Sequence, residues 1–218
     1  MPLKAVLFDM DGVIVNTEPL HRKAYFKMFE DFNMEVSEEL YTSFTGASTK
    51  KVCNHLIQEF QLDKTTDELI NTKRAYFKNY FDNDPDFDLI EGVREIIQHY
   101  YDNGIKLVLA SSASMNTINW VFEKFDLEQY FIGKISGADL KESKPNPEIF
   151  VKAAEMANEP KENCMVIEDS TNGILAAHRA EIFCAAYQSE HSKLQDYSKA
   201  NILVDDYKEL EIDKLDHF

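Results

Sequence analysis

Apolar positions recur along this chain in two rhythms. Short apolar runs without a period sit at residues 3–8, 105–110, 131–136, 164–167, 182–186 and 201–204. Runs of this length bounded by turn residues predict strands buried on both faces. Between them, residues 93–101, 114–125, 147–157 and 170–179 space their apolar positions by three and four, the period of a helix with one buried stripe. Strand and helix in alternation predict a parallel sheet with helices on both faces, an α/β fold of the Rossmann-like kind.

One stretch departs from this alternation. From residue 17 onward the chain shows only the helical period. Leu20, Ala24, Met28 and Phe32 recur every four residues, flanked by Tyr25 and Phe29. A second helix is expected from 37 or 38 to near Gly46, with Thr45–Ser48 as a turn capped by Ser48. A third carries Val52, Leu56 and Phe60. A fourth starts near Thr66 and bears Leu69, Ile70, Tyr76, Phe77, Tyr80 and Phe81. Aromatic residues at helical spacing predict packing rather than a ligand box. The acidic segment 82–88, containing Pro85, closes the stretch. The expected organisation is therefore a core of residues 1–16 and 85–218, with 17–84 inserted as a four-helix domain.

In open parallel sheets, ligands bind outside the carboxyl ends of the strands, so the residues at those ends carry the chemistry. Strand one, within VLFDMDGVIVNTE at 6–18, runs into Asp9 and Asp11, followed by Gly12. The second strand ends in Ser111 and Ser112. Lys144 lies in Ser-Lys-Pro-Asn-Pro, just before a helix. The strand at 164–167 ends in Glu168 and Asp169. Each has a plain alternative: Asp11-Gly12 as a turn, Ser114 or Ser112 and Asp169 or Ser170 as helix caps, Lys144 as a solvated charge. Four acids, a hydroxyl and a lysine at successive strand ends are harder to explain that way. Two acids held together repel unless a cation sits between them, and Mg²⁺ takes oxygen ligands while sharing substrate phosphates.

Composition narrows the field. The 218 residues carry 44% hydrophobic content and a formal net charge of −16. No basic stripe exists for a nucleic-acid duplex, and the same charge opposes an anionic membrane. No long uncharged apolar run and no signal-peptide pattern is present. Cys53, Cys164 and Cys184 are widely spaced and read as small buried residues in a reducing compartment, so a cytoplasmic protein is expected. The sequence assigns no oligomeric state, and a monomer is compatible with it.

Asp9-Met10-Asp11-Gly12, Leu109-Ala110-Ser111-Ser112, Lys144-Pro145, and Glu168-Asp169-Ser170 with Gly173 resemble, in order, the four motifs of the haloacid dehalogenase superfamily. The inserted helices resemble the cap of the subclass that contains beta-phosphoglucomutases and sugar-phosphate phosphatases. The resemblance implies that Asp9 is the nucleophile and Asp11 the acid-base residue, with Ser111 and Lys144 on the phosphoryl oxygens. It implies a Mg²⁺ site formed by Asp9, Asp11 through its carbonyl, and Asp169, with Glu168 acting behind it. It implies help from backbone N–H groups around Met10 and Ser112, and a gate at His21, since beta-phosphoglucomutases carry a histidine there that positions the acid-base aspartate; Thr49 or Lys50 on the cap, and Lys73 or Arg74 unless they are solvent-facing charges, are further candidate substrate contacts. Beta-phosphoglucomutases place an arginine where this chain has Thr49, a departure that favours hydrolysis over phosphosugar transfer. A phospho-accepting receiver module is the alternative of another class. The expected partner is a small phosphorylated metabolite, neither nucleic acid nor membrane.

Overall fold

The computed structural model describes residues 2–44, 49–189, 192 and 194–215. The expected turn at Thr45–Ser48, with its Ser48 cap, lies outside the described residues. The chain divides into two compact units, Met1–Asn16 with Asp88–Phe218, and Thr17–Phe87.

The first unit is built on a six-stranded sheet. Its strands are β1 (Ala5–Phe8), β2 (Lys106–Ser111), β3 (Phe131–Ser136), β4 (Cys164–Glu168), β5 (Phe183–Tyr187) and β6 (Ile202–Val204), ordered β3-β2-β1-β4-β5-β6. Every pairing is parallel. The order reverses at β1, between β2 and β4, which is where such sheets open a crevice. Phe8 is in register with Leu109 on one side and Ile167 on the other. The next residues along are therefore Asp9, Ala110 and Glu168, so the register alone brings the strand-end residues to one edge.

Successive strand residues face opposite sides, and both sides are covered. Ala5 and Leu7 of β1 pack with Val108, Val166 and Cys184 against α7 (Glu148–Ala157) and α8 (Thr171–Ala180). These two helices meet the sheet with Ala153, Ala157, Ala176 and Ala177. On the other face Phe8 meets Tyr100 of α5 (Val93–Asp102) and Phe131, with ring centroids 6.3 and 5.7 Å away. Phe122 of α6 (Met115–Lys124) closes on Phe131 at 5.0 Å. Full burial of side chains such as Phe8 and Leu7 stabilises by about 1.5–3 kcal/mol each.

The second unit contains α1 (Glu18–Asp31), α2 (Glu38–Ser43), α3 (Thr49–Glu59) and α4 (Thr66–Asn83). Its core gathers Tyr25, Met28, Phe29, Val52, Cys53, Leu56, Leu69 and Ile70, with Phe32 partly buried beside them. Thr65 starts α4 with a capping box: its hydroxyl accepts from Glu68 N while the Glu68 carboxylate accepts from Thr65 N, satisfying two donors that a helix start leaves open. Along α4, Leu69, Ile70, Phe77 and Phe81 are buried, so most of the aromatic stripe is packing; Tyr76 and Tyr80 are half-buried. No helix among the described residues is long and apolar enough to cross a membrane.

Candidate active site

The site in the first unit is assembled from turns that leave the sheet. Past Asp9 the chain folds on itself. The Met10 carbonyl accepts from the amides of Val13, Ile14 and Val15, and Gly12 N donates to Val15 O at 2.8 Å. Gly12 has φ +85, a conformation a side chain resists. A Cβ there would also lie 2.1 Å from an oxygen of Asp169. The Asp-Gly pair is thus a turn, and it is also what lets the Asp169 carboxylate approach the loop after Asp9.

Lys144 sits between two acids. Its ammonium donates to Asp9 Oδ1, and to Glu168 Oε1 at 2.8 Å. Its side chain is 5% exposed, which rules out a solvated surface charge. Arg179 of α8 donates to the Pro145 carbonyl at 2.9 Å and so holds the turn that delivers the lysine. The other Glu168 oxygen accepts from Ser170 N at 2.7 Å and Ser170 Oγ at 3.0 Å. Both Glu168 oxygens are therefore occupied by protein donors. Gly173 makes this arrangement fit, since a Cβ there would fall 1.5 Å from Glu168 Oε1.

After β2, Ser111 is buried and its Oγ accepts from Ala113 N at 3.1 Å, which leaves its own proton to donate. Ser112 is exposed. Ser170 does cap α8, accepting from Gly173 N, and Ser114 caps α6, accepting from Thr117 N.

The acids crowd one another. Burial raises Asp9 to about 7, with Glu168 and Asp11 adding to the effect and Lys144 opposing it. Burial likewise raises Asp169 to about 8, helped by Glu168 and Asp9. Burial works against the Lys144 charge, but the Asp9 and Glu168 carboxylates outweigh it and hold its pKa above the usual lysine range.

The remaining candidates lie in the second unit. His21 and Lys73 meet: Lys73 Nζ is 2.6 Å from His21 Nδ1. An ammonium only donates, so Nδ1 accepts and the proton of the neutral ring sits on Nε2. The imidazole stacks on Phe77 at 4.3 Å, and Lys73 lies 4.9 and 5.0 Å from the Tyr25 and Phe77 rings. Lys73 is 4% exposed, whereas its neighbour Arg74 is exposed. Burial, then the Lys73 charge, lowers His21 to about 3. Burial lowers Lys73 to about 8, against an upward pull from Glu18. Thr49 is half-buried and shares a hydrogen bond with the Tyr25 hydroxyl, while Lys50 is exposed.

Some contributors escape sequence reasoning. Tyr207 is buried, and its hydroxyl donates to the Val13 carbonyl, bracing the turn after Asp9. Nothing near residue 207 signals this. The Arg179 contact is equally silent, because it spans 34 residues.

A parallel sheet with an acid pair at its switch point, a lysine bridging two carboxylates and a separate helical unit defines a class of phosphate-handling α/β enzymes. The profile of haloacid dehalogenase-like hydrolases matches residues 6–187, and the chain belongs to that family. A phosphorylated carbohydrates phosphatase of Thermotoga maritima is 30% identical over 184 residues, covering 83% of this chain and 82% of that protein. The 6-phosphogluconate phosphatase of Escherichia coli is 28% identical, with 84% and 83% covered. Among solved structures, a beta-phosphoglucomutase from Clostridium difficile superposes with a TM-score of 0.76 at 25% identity, covering 98% of this chain and 95% of that one. A match of this extent leaves no place for the receiver alternative. The chain is an enzyme of the phosphatase kind.

Proposed function

We propose that this enzyme hydrolyses the phosphate ester of a small phosphorylated sugar, with Asp9 as nucleophile and Mg²⁺ as cofactor. The observation that carries the reading is the Lys144 ammonium bridging Asp9 and Glu168 at the switch point of the sheet. Relatives that act on phosphorylated carbohydrates support the substrate class.

The donor set fits a hydrated Mg²⁺ ion. Gly12 makes room for the Asp169 carboxylate, whose pKa is raised by burial and then by the Glu168 and Asp9 charges, a crowding of acids that a cation would relieve. Among the described residues no three acidic, histidine or cysteine side chains converge into a metal site of their own. Mg²⁺ bound by one or two carboxylates completes its shell with water and substrate phosphate. Asp9 and Asp169 would hold it with the Asp11 carbonyl, while Glu168, spent on Lys144 and Ser170, acts behind them. When bound, the ion supplies charge neutralisation to the phosphoryl oxygens and favours the anionic form of Asp9.

The chain's own residues then divide the work. An Asp9 oxygen attacks phosphorus; the O–P bond forms as the ester P–O bond breaks. Asp11 gives its proton to the departing sugar oxygen. Ser111 donates its hydroxyl proton, and Lys144 its ammonium hydrogens, to phosphoryl oxygens. Asp11 next takes a proton from water, whose oxygen attacks phosphorus and releases Asp9. The helical unit is read as a cap in which Lys73 meets the substrate and His21 holds Lys73 in place. Ser112 and Lys50, both exposed, stay candidate contacts.

Hydrolysis is preferred to phosphosugar transfer because a mutase must grip the phosphate that is not reacting. An arginine fork gives that grip through two charge-assisted bonds. Thr49 offers one neutral hydroxyl, already shared with Tyr25. A screen of sugar phosphates for phosphate release, after chelation and after Mg²⁺ is restored, tests the proposal. Release should vanish with chelator and return with Mg²⁺. Supplying beta-glucose 1-phosphate with a trace of glucose 1,6-bisphosphate tests the alternative: conversion to glucose 6-phosphate with little phosphate released would establish the mutase.

A further inference from the structure

Asp9 and Asp11 stand two residues apart and are held by different means. Asp9 continues β1, and its amide donates to the Ile167 carbonyl of β4 at 3.0 Å, so the sheet fixes it. Asp11 belongs to the turn that follows. A β-bridge joins Asp11 to Val15, and Val15 bridges in turn to Leu89. The Met10, Ile14 and Val15 carbonyls accept from backbone amides, that of Ile14 from Ile90 N at 2.9 Å. The Val13 carbonyl accepts from the Tyr207 hydroxyl instead. Val13 and Tyr207 are both buried, where a carbonyl stripped of its donor is costly.

The donor is itself held from several directions. Tyr207 opens a short 3-10 turn, Tyr207–Leu210, capped by Asp206, whose carboxylate accepts from Lys208 N at 2.8 Å. At the far end of that turn the Leu210 carbonyl accepts from the Tyr100 hydroxyl at 2.6 Å, and Ile212 N donates to His99 Nε2 at 3.2 Å. Both of these partners belong to α5. The Tyr207 ring stacks on Tyr187 of β5 at 4.4 Å. Burial holds the pKa of its hydroxyl well above the ordinary tyrosine range, so the proton stays on the oxygen to be donated.

We propose that Tyr207 is a positioning residue for Asp11: its hydroxyl, acting through the Val13 carbonyl, keeps the Asp11 carboxyl within reach of the departing oxygen. The inference rests on the reading of Asp11 as the acid-base residue. Proton transfer requires that carboxyl to stand within hydrogen-bond distance of the oxygen as the ester P–O bond breaks, and small misplacements of a reacting group are expensive in rate. Loss of the hydroxyl releases Val13, and the bridged turn carries Asp11 with it. The sheet meanwhile keeps Asp9 in place. The loss therefore falls on protonation of the leaving group and spares the attack on phosphorus.

Phenyl phosphate and 4-nitrophenyl phosphate are the probes, because they share a shape and differ in how much their leaving groups need a proton. The kcat/KM of each, with Mg²⁺ present throughout, reports on the first chemical step. Tyr207→Phe should lower it about tenfold or more for phenyl phosphate and less than about threefold for 4-nitrophenyl phosphate, a part of the 10²–10⁴ that a general acid supplies. Tyr100→Phe removes another buried hydroxyl from the same segment, one bonded to Leu210 rather than to the turn. Melting temperature should fall by a similar amount in both variants, and Tyr100→Phe should keep the native ratio between the two substrates. Asp11→Asn sets the scale and should be the most selective against phenyl phosphate. Equal losses on the two substrates in Tyr207→Phe, or the same selectivity in Tyr100→Phe, would overturn the proposal while Asp11→Asn stays selective. An Asp11→Asn variant without selectivity would overturn the acid-base reading itself, and the proposal with it.

Discussion

The two units each bury one lysine, and they do so in opposite ways. Lys144 is 5% exposed at its side chain and Lys73 is 4% exposed. Lys144 donates to two carboxylates, and these hold its proton against burial. Lys73 donates to a neutral imidazole and lies over two rings, and burial brings it down to about 8. Burial disfavours a charge in both places; what differs is whether the protein supplies the counter-charge. The paired lysine has its counter-charge built in, with one ammonium hydrogen beyond the two its carboxylates accept. The other is stabilised only through weaker contacts, which suits a group whose anion arrives with the substrate.

The comparison can be broken experimentally, starting with the acid that Lys144 holds. Asp9→Asn should lower turnover by at least about 10⁴-fold, as loss of a covalent nucleophile does. Its unfolding free energy should change little, because burial already disfavours the Asp9 charge. Near-normal phosphate release by this variant would remove Asp9 from the role proposed here.

Lys144→Met should come next. It leaves Asp9 and Glu168 buried without their cation, a change that costs about 3–5 kcal/mol. Denaturant unfolding at pH 7 measures this, and turnover should fall with it. The native Lys144 contribution is present below the ordinary lysine range and is lost as pH rises through the raised folded value, and on the acid side it weakens as Asp9 protonates near 7. A variant as stable as the native chain would mean that the bridge is a surface pair after all.

Lys73→Met should have the opposite sign. The folded pKa of Lys73, about 8, lies below the unfolded value of 10.5. Between these values the unfolded chain binds more protons, so this term makes stability rise with pH. Its cost is fully present below about pH 8. The variant should therefore be more stable at pH 7, by about 1–3 kcal/mol, while KM rises about tenfold as the ammonium is lost. In the native enzyme KM should climb as pH passes 8, and the variant should lack that rise. Destabilisation by both substitutions would dissolve the contrast.

Much of the core site is legible in the sequence, because a parallel strand announces itself by its apolar run and its end residue then has a known place. Asp9 and Glu168 fall level by register alone, with Ser111 one residue further along its strand. Lys144 does not: its place in the site is expected from its motif, just before a helix, and only the Arg179 contact and the two acids show how its ammonium turns inward. Gly173 is visible as a helix residue, but its closeness to Glu168 depends on how α8 leaves β4. His21 and Lys73 stand 52 residues apart. Helical periodicity puts each on a face without saying which faces meet. Thr49 and Lys50 differ in burial for the same reason, being adjacent on a helix that turns about 100° per residue.

The Tyr207 hydroxyl, donating to the Val13 carbonyl, shows that the working enzyme outlasts its recognisable signature. The family profile ends at residue 187, yet a side chain twenty positions later steadies the turn that holds Asp11. A chain trimmed to the matched region would keep every motif and still lose a brace on its catalytic loop.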